Sequence, residues 1–220
     1  IFQFSSELKA LLSTTNSPRK LNSNSLDCFL SMGFTPGERC ILDGYNKLPA
    51  ASSLVFDLNT KKIKVWKYWE VPTNNLSSSD SFNESDLIDR LESLLEKSVN
   101  QQLVADVPIG VLLSGGLDSS LITAMAVRKI SNVKTFTIRF PDAGKLDETE
   151  HARMISRYFE TEHIELEAKP SSVDLLTKLA IQFDEPIIDS SMIPTFLVSK
   201  LVKKHCKVAL GGDGGDELFG

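Results

Sequence analysis

The pattern of apolar and polar residues divides the chain into a short first part and a longer second part. In the first part, two runs of β-forming residues, 52–58 (SSLVFDL) and 62–69 (KIKVWKYW), are separated by a short polar turn and predict a β-hairpin. A Ser- and Asn-rich stretch at residues 13–25 is typical of a loop. A second such stretch, residues 71–85, has the composition of a linker between domains.

After the linker, the pattern changes to alternating helices and strands. Apolar residues recur at helical spacing and predict an amphipathic helix that ends near Leu103, namely Leu87, Ile88, Leu91, Leu94 and Leu95. Strands are then predicted at 109–113, 133–140, 162–168 and 207–212, and helices at 119–129, 148–159, 172–183 and 194–205. Nearly continuous apolar strands that alternate with helices predict an α/β fold, in which a parallel sheet is covered by helices on both faces.

The composition excludes several classes of protein. The 220 residues have a formal net charge of −5 and no long basic stretch, so no nucleic-acid partner is expected. No apolar run reaches the roughly 20 residues that span a bilayer, so no membrane partner is expected either. The three cysteines, Cys28, Cys40 and Cys206, lack metal-binding spacing, and their odd number favours a reducing compartment, the cytoplasm.

Two glycine-rich segments follow predicted strands, residues 114–120 (SGGLDSS) and 211–220 (GGDGGDELFG). Ligands of open α/β sheets bind beyond the carboxyl ends of the strands, so both segments are expected at one site. Gly115 and Gly116 allow backbone N–H groups to converge on an anion, and Ser119 and Ser120 add hydroxyls where a helix begins. The first segment is therefore expected to bind phosphate or pyrophosphate.

The first segment differs from a P-loop in a way that predicts a metal. It lacks the lysine and the spacing of GxxxxGK[ST], and it contains Asp118. A carboxylate repels phosphate unless a divalent cation lies between them, and Mg²⁺ prefers one or two carboxylates together with phosphate oxygens. Asp118 and Asp216 are the candidate metal ligands, one from each segment, and Asp213 is a candidate ligand or base.

Longer stretches around these segments resemble a known family. VPIGVLLSGGLDSSLI and ALGGDGGDELFG resemble the synthetase domain of glutamine-dependent asparagine synthetases, and FSSELKALL and KLPAASSLVFDL resemble the end of their class-II glutamine amidotransferase domain. The resemblance implies a Rossmann-like, adenine nucleotide alpha hydrolase-like sheet, preceded by a β-rich remnant of an N-terminal-nucleophile glutaminase domain. It divides the chain into residues 1–72 (end of the amidotransferase domain), 73–85 (linker) and 86–220 (first part of the synthetase domain).

The resemblance implies a ligase reaction of asparagine biosynthesis. ATP would adenylate the side-chain carboxylate of aspartate with release of pyrophosphate, and ammonia derived from glutamine would displace AMP. Its implied cofactors are ATP and Mg²⁺, its small-molecule partners are aspartate, ATP and glutamine or ammonia, and relatives suggest a homodimer. The amidotransferase nucleophile of the family would lie upstream of Ile1 and the synthetase domain would continue beyond Gly220, so this segment alone is expected to be inactive.

Site residues follow from the resemblance by motif position. The residues expected to contact pyrophosphate and Mg²⁺ are Ser114, Gly115, Gly116, Asp118, Ser119 and Ser120. Leu113 and Ile138, at the ends of the first two strands of the sheet, would flank the adenine, with Gly211 and Gly212 nearby.

Five acidic residues have further expected roles. Asp216 would be the second Mg²⁺ ligand, and Asp213 would be the catalytic base that deprotonates the attacking ammonia. Asp184, Glu185 and Asp189 surround Pro186 in the segment DEPIIDSS. They are expected either to bind substrate or metal, or to form a loop with a helix cap.

Three other functions stay open. Related enzymes amidate other carboxylates or close β-lactam rings, and the two glycine-rich segments do not distinguish these reactions. A tRNA-modifying ATP-pyrophosphatase predicts a basic surface and often cysteine pairs, which a pI near 5.3 and the absence of CxxC disfavour. A non-catalytic nucleotide-binding or scaffold domain is disfavoured because the aspartates of both segments are present.

Overall fold

The computed structural model describes residues 2–15, 17–72, 83–139, 148–167 and 173–219. The chain forms two compact units, Ile1–Ser77 with Ser171–Met192, and Ser78–Pro170 with Ile193–Gly220. The predicted domain boundary at residues 73–85 stays a prediction. The two compact units do not follow the predicted domains, because residues 171–192 group with the N-terminal residues. In the described ranges, none of the helices combines the length and the hydrophobicity of a bilayer span.

The described strands and helices follow the predicted alternation. The strands are β1 (Ser52–Phe56), β2 (Ile63–Lys67), β3 (Ile109–Leu112), β4 (Lys134–Arg139), β5 (Glu162–Glu167) and β6 (Val208–Leu210). The helices are α1 (Leu8–Leu12), α2 (Ser23–Met32), α3 (Glu84–Gln102), α4 (Leu117–Lys129), α5 (Thr149–Tyr158), α6 (Val173–Gln182), α7 (Met192–Val202) and α8 (Gly215–Phe219).

The first unit contains the predicted hairpin. Strands β1 and β2 pair antiparallel, with Phe56 opposite Ile63 at the turn. The Asp57 carboxylate accepts the N–H groups of Asn59 and Thr60 at 2.8 and 2.7 Å, and these hydrogen bonds lower its pKa. An aspartate that bonds the backbone two and three residues ahead stabilises a tight turn, which explains why the two strands pair here.

Two helices begin inside stretches that the sequence pattern predicts as a loop or a linker, and one of them, α2, is not predicted at all. Asn22 accepts the Ser25 N–H at 2.9 Å, so α2 begins at Ser23, inside the stretch predicted as a loop. Asn83 accepts the Ser85 N–H at 3.1 Å, so α3 begins inside the predicted linker. In both cases an asparagine that favours loops in the sequence pattern serves as the N-cap of a helix.

The second unit contains a four-stranded parallel sheet in the order β5-β4-β3-β6, which confirms the predicted fold class. Val111 of β3 lies opposite Thr135 of β4 on one side and Leu210 of β6 on the other. The chain therefore runs from β3 outward through β4 and β5, and then returns to place β6 beside β3. This reversal makes the β3–β6 edge the switch point of the sheet, where ligands of such folds bind.

Helices cover both faces of this sheet. Val111 packs with Val99 of α3 and Met125 of α4, whereas the next residue, Leu112, packs against the cluster that contains Val202 of α7. Successive side chains of a strand point to opposite faces, so α3 and α4 lie on one face and α7 lies on the other. The two apolar clusters hold the helices against the strands whose carboxyl ends form the candidate site.

All three cysteines are free thiols. Cys40 and Cys206 are buried, and burial raises the pKa of both thiols. A raised pKa disfavours the thiolate, so these two thiols are poor nucleophiles.

Candidate functional site

The first glycine-rich segment forms a tight turn between β3 and α4. Gly115 has φ +91°, a conformation that favours glycine, and Gly116 is the N-cap of α4 without a side-chain cap. The Ser120 N–H bonds to the Gly116 carbonyl at 3.1 Å and begins the helical pattern. The backbone N–H groups of residues 117–119 in the first turn have no partner within the helix, so they are available to an anion.

The serine hydroxyls of this segment bond to one another and to the turn. Ser114 Oγ accepts the Gly116 N–H at 3.2 Å and lies 3.0 Å from Ser119 Oγ. Ser119 and Ser120 both donate to the Gly116 carbonyl, at 3.2 and 2.7 Å. The structure thus brings the predicted hydroxyls together at the helix start, where rotation about χ1 would release them to phosphate oxygens.

Two neighbouring elements hold the turn in place. A Cβ built on Gly115 would lie 2.6 Å from the Ala152 nitrogen and 2.7 Å from His151 Cβ, so the first turn of α5 closes on the loop. On the other side, the buried Thr137 hydroxyl of β4 donates to the Leu113 carbonyl, where β3 ends. The sequence pattern gives no signal for either contact, because both depend on neighbours across the sheet.

The second glycine-rich segment follows β6 and leads into the short helix α8. Its turn is closed by the Gly215 N–H, which bonds to the Gly212 carbonyl at 3.3 Å. The exposed Asp213 side chain folds back over the segment, with Oδ2 2.5 Å from the position of a Cβ built on Gly211. Asp216 lies in the first turn of α8 and is exposed.

The two segments meet at Asp118, as expected for loops that follow neighbouring strands. A Cβ built on Gly215 would lie 2.5 Å from Asp118 Cγ and 2.6 and 2.7 Å from its two carboxylate oxygens. A Cβ built on Gly212 would lie 2.8 Å from Asp118 Cβ and 2.9 Å from the Ser119 nitrogen. The absence of side chains at these two glycines is what allows the loops to approach.

The charge of the site is negative. Among the described residues, no lysine or arginine forms an ion pair with Asp118, Asp213 or Asp216. The described ranges also contain no group of three His, Cys, Asp or Glu side chains that would form a metal site by themselves. Mg²⁺ takes one or two carboxylates and completes its shell with phosphate oxygens and water, so these residues fit Mg²⁺ bound together with a phosphorylated ligand.

A cavity of about 260 Å³ lies beside the meeting point of the two segments. Its walls are mainly apolar and include Leu95 and Val99 of α3, Ile122 of α4 and Leu210 of β6. Asp118 and the second segment form its polar side. The helical spacing predicts α3, but nothing in the sequence indicates that this helix contributes to the wall of the site.

Two of the predicted adenine contacts are core residues. Leu113 is 1% exposed, and its N–H bonds to the Phe136 carbonyl at 2.8 Å. Ile138 packs against the cluster that contains Phe136 and Val202. Neither residue lines the cavity, and their contact with adenine stays a prediction.

The three acidic residues of the DEPIIDSS segment have partners within the first unit. Asp184 accepts the Leu8 N–H at 2.5 Å, and Glu185 accepts the Ile41 N–H at 2.5 Å. Asp189 accepts the Ser191 N–H at 2.8 Å just before α7, and its hydrogen bonds with Ser191, through the side chain first and then the backbone, lower its pKa. The geometry of Asp189 is that of a helix cap, which is one of the two expected roles of this segment.

Comparison with known proteins agrees with these motifs. The asparagine synthase family model matches residues 90–220. A putative glutamine-hydrolyzing asparagine synthetase 2 of Methanocaldococcus jannaschii is 36% identical over 224 residues, which cover 100% of this chain and 42% of that protein. The glutamine-hydrolyzing asparagine synthetase 1 of Bacillus subtilis is 31% identical over 218 residues, which cover 99% of this chain and 33% of that protein.

The chain thus spans less than half the length of these two relatives. Among solved structures, a glutamine-dependent NAD⁺ synthetase from Acinetobacter baumannii matches weakly, with 21% identity, a TM-score of 0.42 and coverage of 75% of this chain and 30% of that chain. The fold class therefore rests on the strand order of this chain itself. From the family match and these relatives, we conclude that the chain belongs to the asparagine synthase family.

Proposed function

We propose that the whole protein is a ligase that makes asparagine from aspartate, with ATP cleaved to AMP and pyrophosphate and with ammonia supplied by glutamine. The observation that supports this most directly is the contact of Asp118 with Gly215, which joins the two glycine-rich segments at the switch point of the sheet. Membership of the asparagine synthase family supports the same reaction. The acceptor and the nitrogen source are part of the proposal.

The residues that bind pyrophosphate are those of the first segment. The free N–H groups at the start of α4 point toward an anion at the positive end of the helix dipole. Ser119 and Ser120 donate their hydroxyls to phosphate oxygens after they leave the Gly116 carbonyl, and Ser114, whose Oγ accepts the Gly116 N–H, donates its own hydroxyl. These donors stabilise the negative charge that develops on pyrophosphate when the bond to the α-phosphate breaks.

Asp118 and Asp216 would hold Mg²⁺. When bound, the metal neutralises phosphate charge and so supplies the positive charge that a lysine supplies in a P-loop. The two carboxylates come from different segments, so the contact between Asp118 and Gly215 determines whether both are available to one ion.

Asp213 would accept a proton from the attacking ammonia. Its carboxylate is exposed and has no cationic partner among the described residues, so it is free to act as a base. Asp213 follows β6 and belongs to the second glycine-rich segment. It is therefore separate from the phosphate-binding turn of the first segment.

The remaining features of the proposal concern the whole protein. Residues 1–72 belong to a glutamine amidotransferase domain, residues 86–220 begin the synthetase domain, and the active protein is a cytoplasmic homodimer. The β-hairpin of the first unit supports the first of these assignments, and the free thiols of the three cysteines support the cytoplasmic location.

The test is pyrophosphate release by the whole protein. It is incubated with ATP, Mg²⁺, ammonia and one carboxylic acid from a panel, and pyrophosphate and AMP are measured. Aspartate-dependent release is expected, and Asp118→Asn should lower it about 100-fold or more, because a charged group at the reacting phosphates is lost. Asp106→Asn, at an exposed position between α3 and β3, is the matched control and should retain full activity.

The other outcomes separate the alternatives. Release with a different acid would keep the mechanism and change the substrate. Orthophosphate instead of pyrophosphate, or no release with any acid, would contradict the proposed chemistry.

A further inference from the structure

Helix α5 begins beside the turn of the first glycine-rich segment. Strands β4 and β5 are parallel, so the chain between them must return from the carboxyl edge of the sheet to its amino edge, and α5 makes this return. The helix therefore begins at the carboxyl edge, where β3 also ends and the turn follows. Both elements belong to the second unit, so their contact lies within one compact body.

The contact is made by His151 and Ala152. A Cβ built on Gly115 would lie 2.7 Å from His151 Cβ and 2.6 Å from the Ala152 nitrogen. Ala152 is completely buried, whereas His151 is exposed. The base of the His151 side chain thus touches the turn, and its imidazole ring lies outside the packed contact.

Helix geometry directs this ring toward the edge of the sheet at which ligands bind. In an α-helix the Cα–Cβ bonds tilt toward the N-terminus, and long side chains extend in the same direction. His151 is in the first turn of α5, and the N-terminus of this helix lies at the carboxyl edge. The ring therefore extends from Gly115 toward the carboxyl edge and away from the middle of the sheet.

The imidazole of His151 has an unused hydrogen-bonding capacity. It forms no hydrogen bond, ion pair or ring contact in the part of the chain that the structure describes. A neutral imidazole carries one N–H donor and a charged one carries two. His151 can therefore donate to a ligand without the loss of an existing bond, whereas Ser119 and Ser120 must first leave the Gly116 carbonyl.

An additional donor suits the charge of this site. The charged side chains of the two glycine-rich segments are all carboxylates, namely those of Asp118, Asp213, Asp216 and Glu217. Glu148 and Glu150, on either side of His151 in the sequence, are exposed carboxylates as well. A phosphate ligand must therefore bring Mg²⁺ with it, and a histidine N–H adds a favourable contact that none of these side chains provides when ionised.

We propose that His151 is a pyrophosphate-binding residue, whose imidazole N–H donates to an oxygen of the pyrophosphate held by the first glycine-rich segment. This inference rests on the proposed function and deepens it, since it adds a residue from α5 to the same site. The hydrogen bond stabilises the charge that develops on pyrophosphate as it leaves. His151 does not contact the AMP part of the nucleotide.

The experiment is a calorimetric titration of the whole protein with Mg²⁺ and pyrophosphate. His151→Ala removes the ring but keeps the Cβ that touches Gly115, so the packing of α5 on the turn is retained. His151→Gln replaces the ring with an amide that can still donate. Arg157→Gln, at an exposed position in the last turn of the same helix, is the matched control. AMP binding and thermal unfolding are measured for every variant.

The expected effect is selective for pyrophosphate. His151→Ala should weaken the binding of pyrophosphate with Mg²⁺ about tenfold, as expected for the loss of a hydrogen bond to a charged group. His151→Gln should have a smaller effect. Affinity for AMP and the unfolding temperature should be unchanged in both variants, and Arg157→Gln should change pyrophosphate affinity less than about twofold. A purely structural role would instead weaken both ligands and lower the unfolding temperature.

Three results would overturn the inference. They are equal pyrophosphate affinity of His151→Ala and the unmodified protein, an equal loss of affinity for pyrophosphate and AMP, and a similar loss of pyrophosphate affinity in Arg157→Gln. Failure of the proposed function is recognised separately, because the unmodified protein would then form no asparagine from aspartate. If it still binds pyrophosphate, the comparison with His151→Ala decides the role of His151. If it binds none, the pyrophosphate site and the role of His151 both fail.

Discussion

The carboxylate of Asp118 lies against the Cα of Gly215, so close that a methyl group at residue 215 would overlap Asp118 Cγ at 2.5 Å. These residues are almost 100 positions apart in the sequence and follow two neighbouring strands, β3 and β6. A variant that disturbs this contact therefore tests whether the two glycine-rich segments lie against each other.

Gly215→Ala should destabilise the protein by about 0.5–1.5 kcal/mol, the usual cost of moving a side chain off its preferred rotamer. The reason is the overlap with the Asp118 carboxylate, which must turn away from the added methyl group. Asp118→Ala removes the overlapping atoms, so Gly215→Ala should be neutral or stabilising in that background. Chemical denaturation of the four proteins measures the cycle.

Gly212→Ala is the matched control for this cycle. Its added methyl group would meet Asp118 Cβ and the Ser119 nitrogen, which both remain after Asp118→Ala. Its cost should therefore be the same in both backgrounds. Equal costs of Gly215→Ala in the two backgrounds would contradict the contact of Asp118 with residue 215.

Thr137→Val should destabilise the protein by about 1 kcal/mol, because the buried Thr137 hydroxyl donates to the Leu113 carbonyl and valine has no donor. The side chains have nearly the same shape, so the loss isolates the hydrogen bond. Urea denaturation measures the change. Thr195→Val, at an exposed position of α7 where no described residue accepts its hydroxyl, should change stability little. Equal effects of the two substitutions would show that the hydrogen bond contributes nothing.

The environment of His163 predicts that the free energy of unfolding falls at mildly acidic pH. Its Nδ1 lies 2.9 Å from Thr135 Oγ1, which lies 2.8 Å from Thr161 Oγ1, and Thr161 donates to Ser156 Oγ at 3.0 Å. This order of donors makes Nδ1 carry the proton and leaves the buried Nε2 as a lone pair without a partner in the structure. Protonation at Nε2 would place an unpaired donor in the interior.

Burial lowers the pKa of His163, Glu165 opposes this effect, and Arg153 adds to it. The unfolded chain therefore binds more protons than the folded chain below the ordinary histidine pKa of about 6.5. The free energy of unfolding should fall as the pH falls from about 7 to about 5, and His163→Gln should flatten this part of the curve. His151→Gln, at an exposed histidine, is the control. An unchanged slope in His163→Gln would contradict the assignment.

Mg²⁺ should bind the whole protein weakly alone and much more tightly with pyrophosphate. The described residues provide two candidate carboxylates and no three-ligand site, so the phosphate oxygens must complete the metal shell. Calorimetric titration with Mg²⁺, with and without pyrophosphate, measures the difference. Asp216→Asn should weaken the joint binding about tenfold or more, by analogy with the loss of a charged hydrogen-bonding group. Tight Mg²⁺ binding without pyrophosphate would contradict the two-carboxylate site.

Much of the second unit is determined by local sequence. The structure contains the strands predicted from the apolar runs at 109–113 and 133–140 and the helix predicted from the spacing that begins at Leu87. These predictions succeed because an element buried on one or both faces has apolar residues at a spacing characteristic of a helix or a strand. The glycines and aspartates of the two segments likewise predict a phosphate site at the carboxyl edge of the sheet. That prediction needs only the rule that parallel strands end at the same edge.

Local sequence is least informative about where some helices begin and about contacts between distant segments. Asn22 and Asn83 favour loops by composition, yet each caps a helix, because the residues that follow it adopt helical geometry and present an N–H group to its side chain. Asp184 and Glu185 are equally compatible with ligand binding or with structural contacts when only their own segment is considered. Their partners, Leu8 and Ile41, lie 176 and 144 residues away.

The sequence by itself determined the alternation of strands and helices, the parallel sheet and the identity of the two glycine-rich segments, because periodicity and glycine content are local properties. Only the tertiary structure decided that Asp118 meets Gly215, that Leu113 and Ile138 are core residues, and that Asp184 and Glu185 fasten the α6–α7 connection. Each of these depends on the distance between groups far apart in the chain. Such distances are set by the packing of whole elements against one another, which no short stretch of sequence encodes.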